Sequence, residues 1–421
     1  MTKLEELIEK LCPDGVEYKT LGEVAIDIYR GAGIKRDQIR KTGTPCVRYG
    51  EIYTTYGISF DSCVSYTDES LLTTKKYFEY GDILFAITGE RVEDIAKSCA
   101  YVGHEKCLAG GDIVVLKHNE DPKYLSYALA TTDARRQKSF GKSKNKVVHS
   151  SVPAIKSIKL PVPPLEVQRE IVRILDNFTF LSTELAAELA ARQKQYEYYR
   201  DLLLTFKPNE STILNELELS GAIRWMKLGD TCLHSCSGAT PKKSNSEYYT
   251  DGTIPWIRTQ DVVFNSIYKV DAFITEKAVQ ETGAKWIPEN CVIVAISGAS
   301  AGRCAINKIK ATTNQHCLNM EIDSSKALYK YVFYCLCNQH EELLLKKQGA
   351  RGDLNSSLIL GMRIPVPPLE QQQRIVDILD RFDSLCNDIS SGLPAEIEMR
   401  QKQYEYYRDK LLTFKELKKE A

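Results

Sequence analysis

Gln193-Lys-Gln-Tyr-Glu-Tyr-Tyr-Arg-Asp201 recurs without change as Gln401-Lys-Gln-Tyr-Glu-Tyr-Tyr-Arg-Asp409. Nine identical residues separated by 208 positions mark an internal duplication. A second block stands upstream of each copy, Leu160-Pro-Val-Pro-Pro-Leu-Glu166 and Ile364-Pro-Val-Pro-Pro-Leu-Glu370. The period is far too long for a solenoid, so the chain reads as one module repeated in tandem.

Further anchors recur in the same order. Leu21-Gly22 is answered by Leu228-Gly229, Gly31 by Gly238, and Pro45-Cys-Val-Arg48 by Pro255-Trp-Ile-Arg258. Phe85-Ala-Ile-Thr-Gly89 is answered by Val294-Ala-Ile-Ser-Gly298, and the run Tyr124 to Leu129 by Tyr331 to Leu336. Between these anchors the two copies differ widely, which describes a shared scaffold with a divergent surface. Short β-rich runs such as Asp112-Ile-Val-Val-Leu116 lie between Gly-containing turns, and a helical run leads from Lys123 toward Gln137. A short helix over residues 1–13 ends at Pro13-Asp14-Gly15. Each module is therefore a mixed α+β domain followed by a long helix.

The first long helix begins at Leu165, after the extended connector Pro161-Val-Pro-Pro164. Ile171, Leu175, Phe178, Leu181, Leu185, Leu189, Tyr196, Tyr199, Leu203 and Phe206 form an apolar stripe in steps of mostly three and four. Some forty residues of helix extend roughly 60 Å, and a stripe of that length needs a partner. The second helix, from Leu369 toward Lys415, repeats the stripe. Its proline blocks are offset by 204 residues and its Gln-Lys-Gln-Tyr blocks by 208, so four residues are inserted where Gly392-Leu-Pro394 stands. A break or kink is predicted there, and none in the first helix. Paired antiparallel, the two helices would make one polypeptide imitate a two-fold symmetric dimer. The expected boundaries are 1–160 and 208–364 for the domains, 161–207 and 365–421 for the helices.

Composition excludes several classes of function. Lys plus Arg equals Asp plus Glu at 56 each, no run of about eighteen apolar residues spans a membrane, and Met1-Thr-Lys-Leu-Glu-Glu-Leu is no signal peptide. Thirteen scattered cysteines suggest reduced thiols and a cytoplasmic setting. No phosphate loop is present, because Gly141-Lys-Ser143 lacks the earlier glycine. Cys232-x3-Cys236 has no second ligand pair for zinc, and no nucleophile–base set or Asn/Asp-Pro-Pro-aromatic methyltransferase tetrapeptide occurs. No catalytic residue, metal or cofactor is expected in this chain.

Local charge is the positive signal. From Ala134 to Leu160 stand eight basic residues and no acidic one, including Lys142, Lys144 and Lys146. This loop suits either phosphate contacts or simple solvation. The matching part of the second module holds Lys346, Lys347, Arg351 and Asn355. Lys35-Arg36 and Lys242-Lys243 occupy like places after Gly31 and Gly238. Arg48 and Arg258 could face DNA or a structural carboxylate, and Arg91 and Arg303 follow the Thr/Ser-Gly turns. In the repeated block, Tyr196, Tyr199, Arg200, Tyr404, Tyr407 and Arg408 are candidates for helix packing or for docking one partner species twice.

The two variable domains and the two repeated blocks together resemble the specificity subunit of type I restriction–modification enzymes, as does the opening Cys12-Pro-Asp-Gly-Val-Glu-Tyr18. The resemblance covers essentially the whole chain. It implies two target-recognition domains, each reading one half of a bipartite double-stranded DNA target. It also implies an antiparallel coiled-coil spacer that docks two methyltransferase subunits, joined by restriction–translocation subunits. S-adenosylmethionine, ATP and magnesium would belong to those partners. The competing reading is a structural coiled-coil scaffold whose globular ends bind proteins; a self-sufficient methyltransferase fusion lacks the motifs.

Overall fold

Ile113-Val-Val-Leu-Lys117 is apolar at four consecutive positions, the pattern of a strand covered on both faces, and those four side chains are fully buried. In the computed structural model, which describes residues 2–141, 147–206, 223–347, 353–388 and 390–417, it lies inside a five-stranded sheet. The order is Asp27–Arg30, Ile113–Lys117, Ile83–Ala86, Ser98–Tyr101, Ser59–Phe60. All neighbours are antiparallel except the last pair. A second sheet holds Ile39–Arg40, Ser65–Thr67, Thr44–Val47, Cys107–Ala109 and Tyr77–Phe78.

The second copy keeps the order of the main sheet strand for strand. Cys232–Ser237, Cys317–Ile322, Val292–Ala295, Cys304–Asn307 and Asn265–Ile267 form its main sheet, again with the last pair parallel. Its other sheet runs Phe273–Ile274, Ile254–Ile257, Ala311–Thr313, Trp286–Ile287. The second sheet is one strand smaller than its counterpart, while the main sheet keeps its hydrogen-bonded framework.

The chain divides into two compact units, Met1–Ala186 with Glu396–Ala421, and Ala187–Ala395. Each unit therefore borrows helix from the other repeat. In the first, Ile171 and Leu175 share a core with Phe85, Val114, Tyr124 and Leu412. In the second, Leu203 and Leu204 share a core with Val294, Tyr331, Ile375 and Leu379. Burying such a leucine side chain contributes about 1.5–3 kcal/mol, so the foreign helix is part of each fold.

The first long helix is continuous from Leu165 to Thr205. The second stops at Asn387 and restarts at Leu393, as the four-residue offset predicts. Pro394 sits in the first turn of the new helix, where its missing N–H costs nothing. Gly392 closes the break: its amide donates to the Asp388 carbonyl at 2.9 Å.

Two expectations need correction and one is completed. The proline block is extended as expected, and it is also paired. Lys159–Pro161 pairs antiparallel with Tyr18–Thr20, and Arg363–Val366 with Arg224–Lys227, while Leu160 and Ile364 are buried. The helical run after Pro122 is two helices, Pro122–Leu129 and Thr132–Ser139, because the Thr131 hydroxyl caps a new start by accepting from the Ala134 amide. Within the long stripes, Leu181 and Leu385 are exposed rather than packed.

Candidate nucleic-acid interface

Strand register collects the basic candidates of the first unit at one end of the main sheet. Val114 pairs with Arg30, Ile113 with Ala86, and Ser98 with Phe85. The segments leaving that end are Gly31 toward Lys35-Arg36, Gly110-Gly111-Asp112, and Thr88-Gly89 toward Arg91. Arg48 joins them because the Gly110 amide donates to the Val47 carbonyl at 2.9 Å. The chain leaving the basic stretch returns to the same place, with Val148 opposite Gly89 and His149 opposite Thr88.

The second unit repeats the arrangement. Ser237 pairs with Leu318, Ala295 with Cys317, and Val294 with Cys304. This brings together Gly238 toward Lys242-Lys243, Arg258 after Ile257, Arg303 before Cys304, and Leu354, whose amide donates to the Ile296 carbonyl at 2.8 Å. Gly31 and Gly238 are glycines for a steric reason. A Cβ at Gly31 would lie 2.2 Å from the Gly110 carbonyl oxygen, and one at Gly238 would lie 1.9 Å from that of Thr313. These two glycines thus mark places of close backbone approach.

The individual side chains separate into two groups. Lys35, Arg36, Arg91, Lys242 and Lys243 are exposed, and Arg303 is half-buried. Arg48 has taken the carboxylate: its Nε lies 3.0 Å from Glu51 Oε1. Arg258 holds Asp261 more loosely at 3.9 Å, and Asp261 accepts the Arg258 amide at 2.8 Å. Lys346 pairs with Glu342 at 2.5 Å, and Lys347 is half-buried. The Asn355 side chain caps a helix by accepting from the Leu358 amide at 2.7 Å. Lys142, Lys144, Lys146 and Arg351 lie outside the described residues.

The register also reveals residues the charge survey missed. Where the first unit turns through Gly110-Gly111-Asp112, the second turns through Asn314-Gln315-His316, and both Ile87 and Ile296 donate their amides to the third residue of this turn. Gln315 and His316 are exposed and hydrogen-bonded to each other at 3.1 Å, and the Thr240 hydroxyl donates to the Gln315 side-chain Oε1. Asn and Gln amides match the donor–acceptor pattern of adenine in the major groove. Only the loss of sequence likeness between otherwise equivalent turns could have signalled them.

The repeated helical block packs inward. Tyr199 stacks on Phe382 with centroids 5.5 Å apart, and Tyr407 stacks on Phe178 at 5.5 Å. Tyr196 also meets Phe382, and Tyr404 meets Tyr127 edge-on. Arg200 lies over the Tyr196 ring and donates to Asn338 Oδ1 at 3.2 Å. Arg408, 2 % exposed, lies over Tyr404 and donates to Asp409. Each copy's aromatic pair thus grips the helix start of the other repeat. Gln193, Lys194, Glu197, Tyr198 and Asp201 stay exposed in one copy, and Gln401, Lys402, Tyr406 and the outer part of Tyr407 in the other.

Among the described residues no helix is long and apolar enough to cross a membrane, and no group of three or more His, Cys, Asp or Glu is placed to hold a metal.

The family model for the "Type I restriction modification DNA specificity domain" matches residues 13–192 and again 224–399, once in each repeat. A type I restriction enzyme specificity subunit of Escherichia coli is 38% identical over 303 residues, covering 69% of this chain and 70% of that one. The crystal structure of a type I restriction–modification system S subunit from M. genitalium aligns with a TM-score of 0.55 at 14% identity, covering 98% of this chain and 99% of that one. A chain from a structure concerned with complex assembly and conformational transition of the type I system aligns with a TM-score of 0.66 at 19% identity, covering 96% and 98%. These two likenesses speak to the fold. With the domain model matched twice and the E. coli relative alongside it, the chain belongs to the family of type I restriction–modification DNA-specificity subunits.

Proposed function

We propose that this chain chooses the duplex sequence on which a type I complex acts and performs no chemistry itself. Each unit reads one half of a bipartite target through the loop end of its main sheet. The long helices form the antiparallel spacer between the half-sites and dock two methyltransferase subunits, which restriction–translocation subunits join. S-adenosylmethionine, ATP and magnesium serve those partners, and the methyltransferase flips out the adenine this chain has selected. The observation carrying the reading is the loop end itself. The main sheet is kept strand for strand, yet its equivalent turns carry Gly110-Gly111-Asp112 in one unit and Asn314-Gln315-His316 in the other.

Neutral overall charge leaves a protein-binding scaffold as the competing reading, and a salt series separates the two. Binding of duplex DNA by the complex with methyltransferase should prefer one sequence and weaken linearly on a log–log scale. If six to ten phosphates are contacted, the loss between 50 and 200 mM salt is about 10³–10⁵-fold. Binding without sequence preference or salt dependence would sink the DNA reading and leave the scaffold.

A further inference from the structure

We propose that Lys123, Tyr127 and Asp176, with their counterparts Lys330, Tyr334 and Asp380, are positioning clamps that fix the spacer length accepted between the two half-sites. This rests on the DNA-specificity reading and goes beyond it. Asp176 lies on the first long helix and receives Lys123 Nζ at 2.8 Å and the Tyr127 hydroxyl at 2.8 Å. Asp380, on the second, receives Lys330 Nζ at 2.5 Å and the Tyr334 hydroxyl at 2.7 Å. Burial first, and the facing carboxylate with it, push both phenols above their ordinary value, so each donates as a neutral hydroxyl.

A single tie between a domain and a helix is a pivot; two ties define an orientation. The second tie is a buried glutamine at each helix entry. Gln168 Nε2 donates to the Pro163 carbonyl at 2.7 Å, and its oxygen accepts the Asp121 amide at 2.9 Å. Gln372 Nε2 donates to the Pro367 carbonyl at 2.8 Å, and its oxygen accepts the Leu328 amide at 2.8 Å. Both glutamines are fully buried. From glutamine to aspartate is eight residues in each helix, about 12 Å at 1.5 Å per residue. Each recognition domain is thereby held at two points along its own helix.

The chemistry is retained where packing alone would let it drift. Between the repeated Lys-Tyr and Tyr, Leu125-Ser126 has become Val332-Phe333, yet Lys, both Tyr and the helix Asp are unchanged. Cores tolerate apolar exchanges of similar size, so packing does not require this polar set. Adding one base pair to a spacer moves a half-site by about 3.4 Å and turns it by roughly 35°. A domain clamped at both points cannot follow that movement. With the aspartate tie gone, apolar packing of Ile171 and Leu175, or of Ile375 and Leu379, still holds it there, but that packing is non-directional and yields more readily toward the altered half-site.

Genome-wide mapping of methylated adenine in a host carrying the complete system tests this with Asp176→Asn, Asp380→Asn and the milder Tyr127→Phe and Tyr334→Phe. Both half-site sequences should stay as in the parent. Methylation at sites whose spacer is one base pair longer or shorter should rise about tenfold, the scale expected for losing a hydrogen bond to a charged group. Unchanged spacer selectivity in all four variants, including any whose methylation falls equally at every site, would overturn the clamp and leave only a stabilising role. A parent strain without a bipartite motif would instead overturn the reading beneath it, and the clamp with it.

Discussion

Lys138 shows how far single residues follow from sequence. It belongs to the basic stretch that suggested phosphate contact, yet it is 7 % exposed and donates to the Ser98 hydroxyl and the Leu129 carbonyl. Burial without a carboxylate lowers its pKa from 10.5 to about 7. Between those values the unfolded chain keeps a proton the folded chain has released, so stability rises with pH across that window. Lys138→Met should be more stable than the parent at pH 6 by roughly 2 kcal/mol, and the advantage should shrink toward pH 9. Urea melts at both values check this; an advantage independent of pH would contradict it. The sequence reported residue types correctly but not their neighbours. Glu51 and Asp261 each stand three residues after the arginine they hold, a spacing legible beforehand, whereas Gln315 became visible only once strand register placed it beside Thr240.

The elements themselves were more legible, because their signals are periodic. The mismatch between offsets of 204 and 208 places a helix break, and in the structure one helix ends at Asn387 and the next begins at Leu393. Gly392 is needed there for space: a Cβ would lie 2.5 Å from the Ser384 carbonyl oxygen and 2.7 Å from that of Asp388. Gly392→Ala should therefore lower stability by about 1–3 kcal/mol in thermal melts. Gly50→Ala, where a Cβ meets nothing within 4 Å, should stay within about 1 kcal/mol of the parent. Equal effects at the two positions would mean the break tolerates a side chain. The proline blocks are extended as expected, and their pairing, which the sequence does not signal, has a physical reason. Proline fixes an extended backbone and removes one donor, but it leaves the carbonyls, and those of Pro161 and Pro365 accept the Tyr124 and Tyr331 hydroxyls at 3.0 and 2.8 Å.

At the scale of the molecule, duplication explains what neither repeat could do alone. Each compact unit takes a globular domain and helix entry from one repeat and an aromatic block from the other, Phe178 with Tyr407 and Phe382 with Tyr199. The shared blocks must stay alike to make both grips. The loop ends are free of that constraint and have diverged. Two like modules, each with a long helix, are therefore readable from the repeats, and their recognition role from the family resemblance, while the bases read are not, since the unlike turns carry no repeat signal. The decisive measurement is an exchange of residues 14–160 for the corresponding domain of another family member, followed by sequencing of methylated adenines in the host genome. One half-site should change while the other half-site stays as it was. A change in both halves, or in neither, would contradict the assignment of one unit to one half of the target.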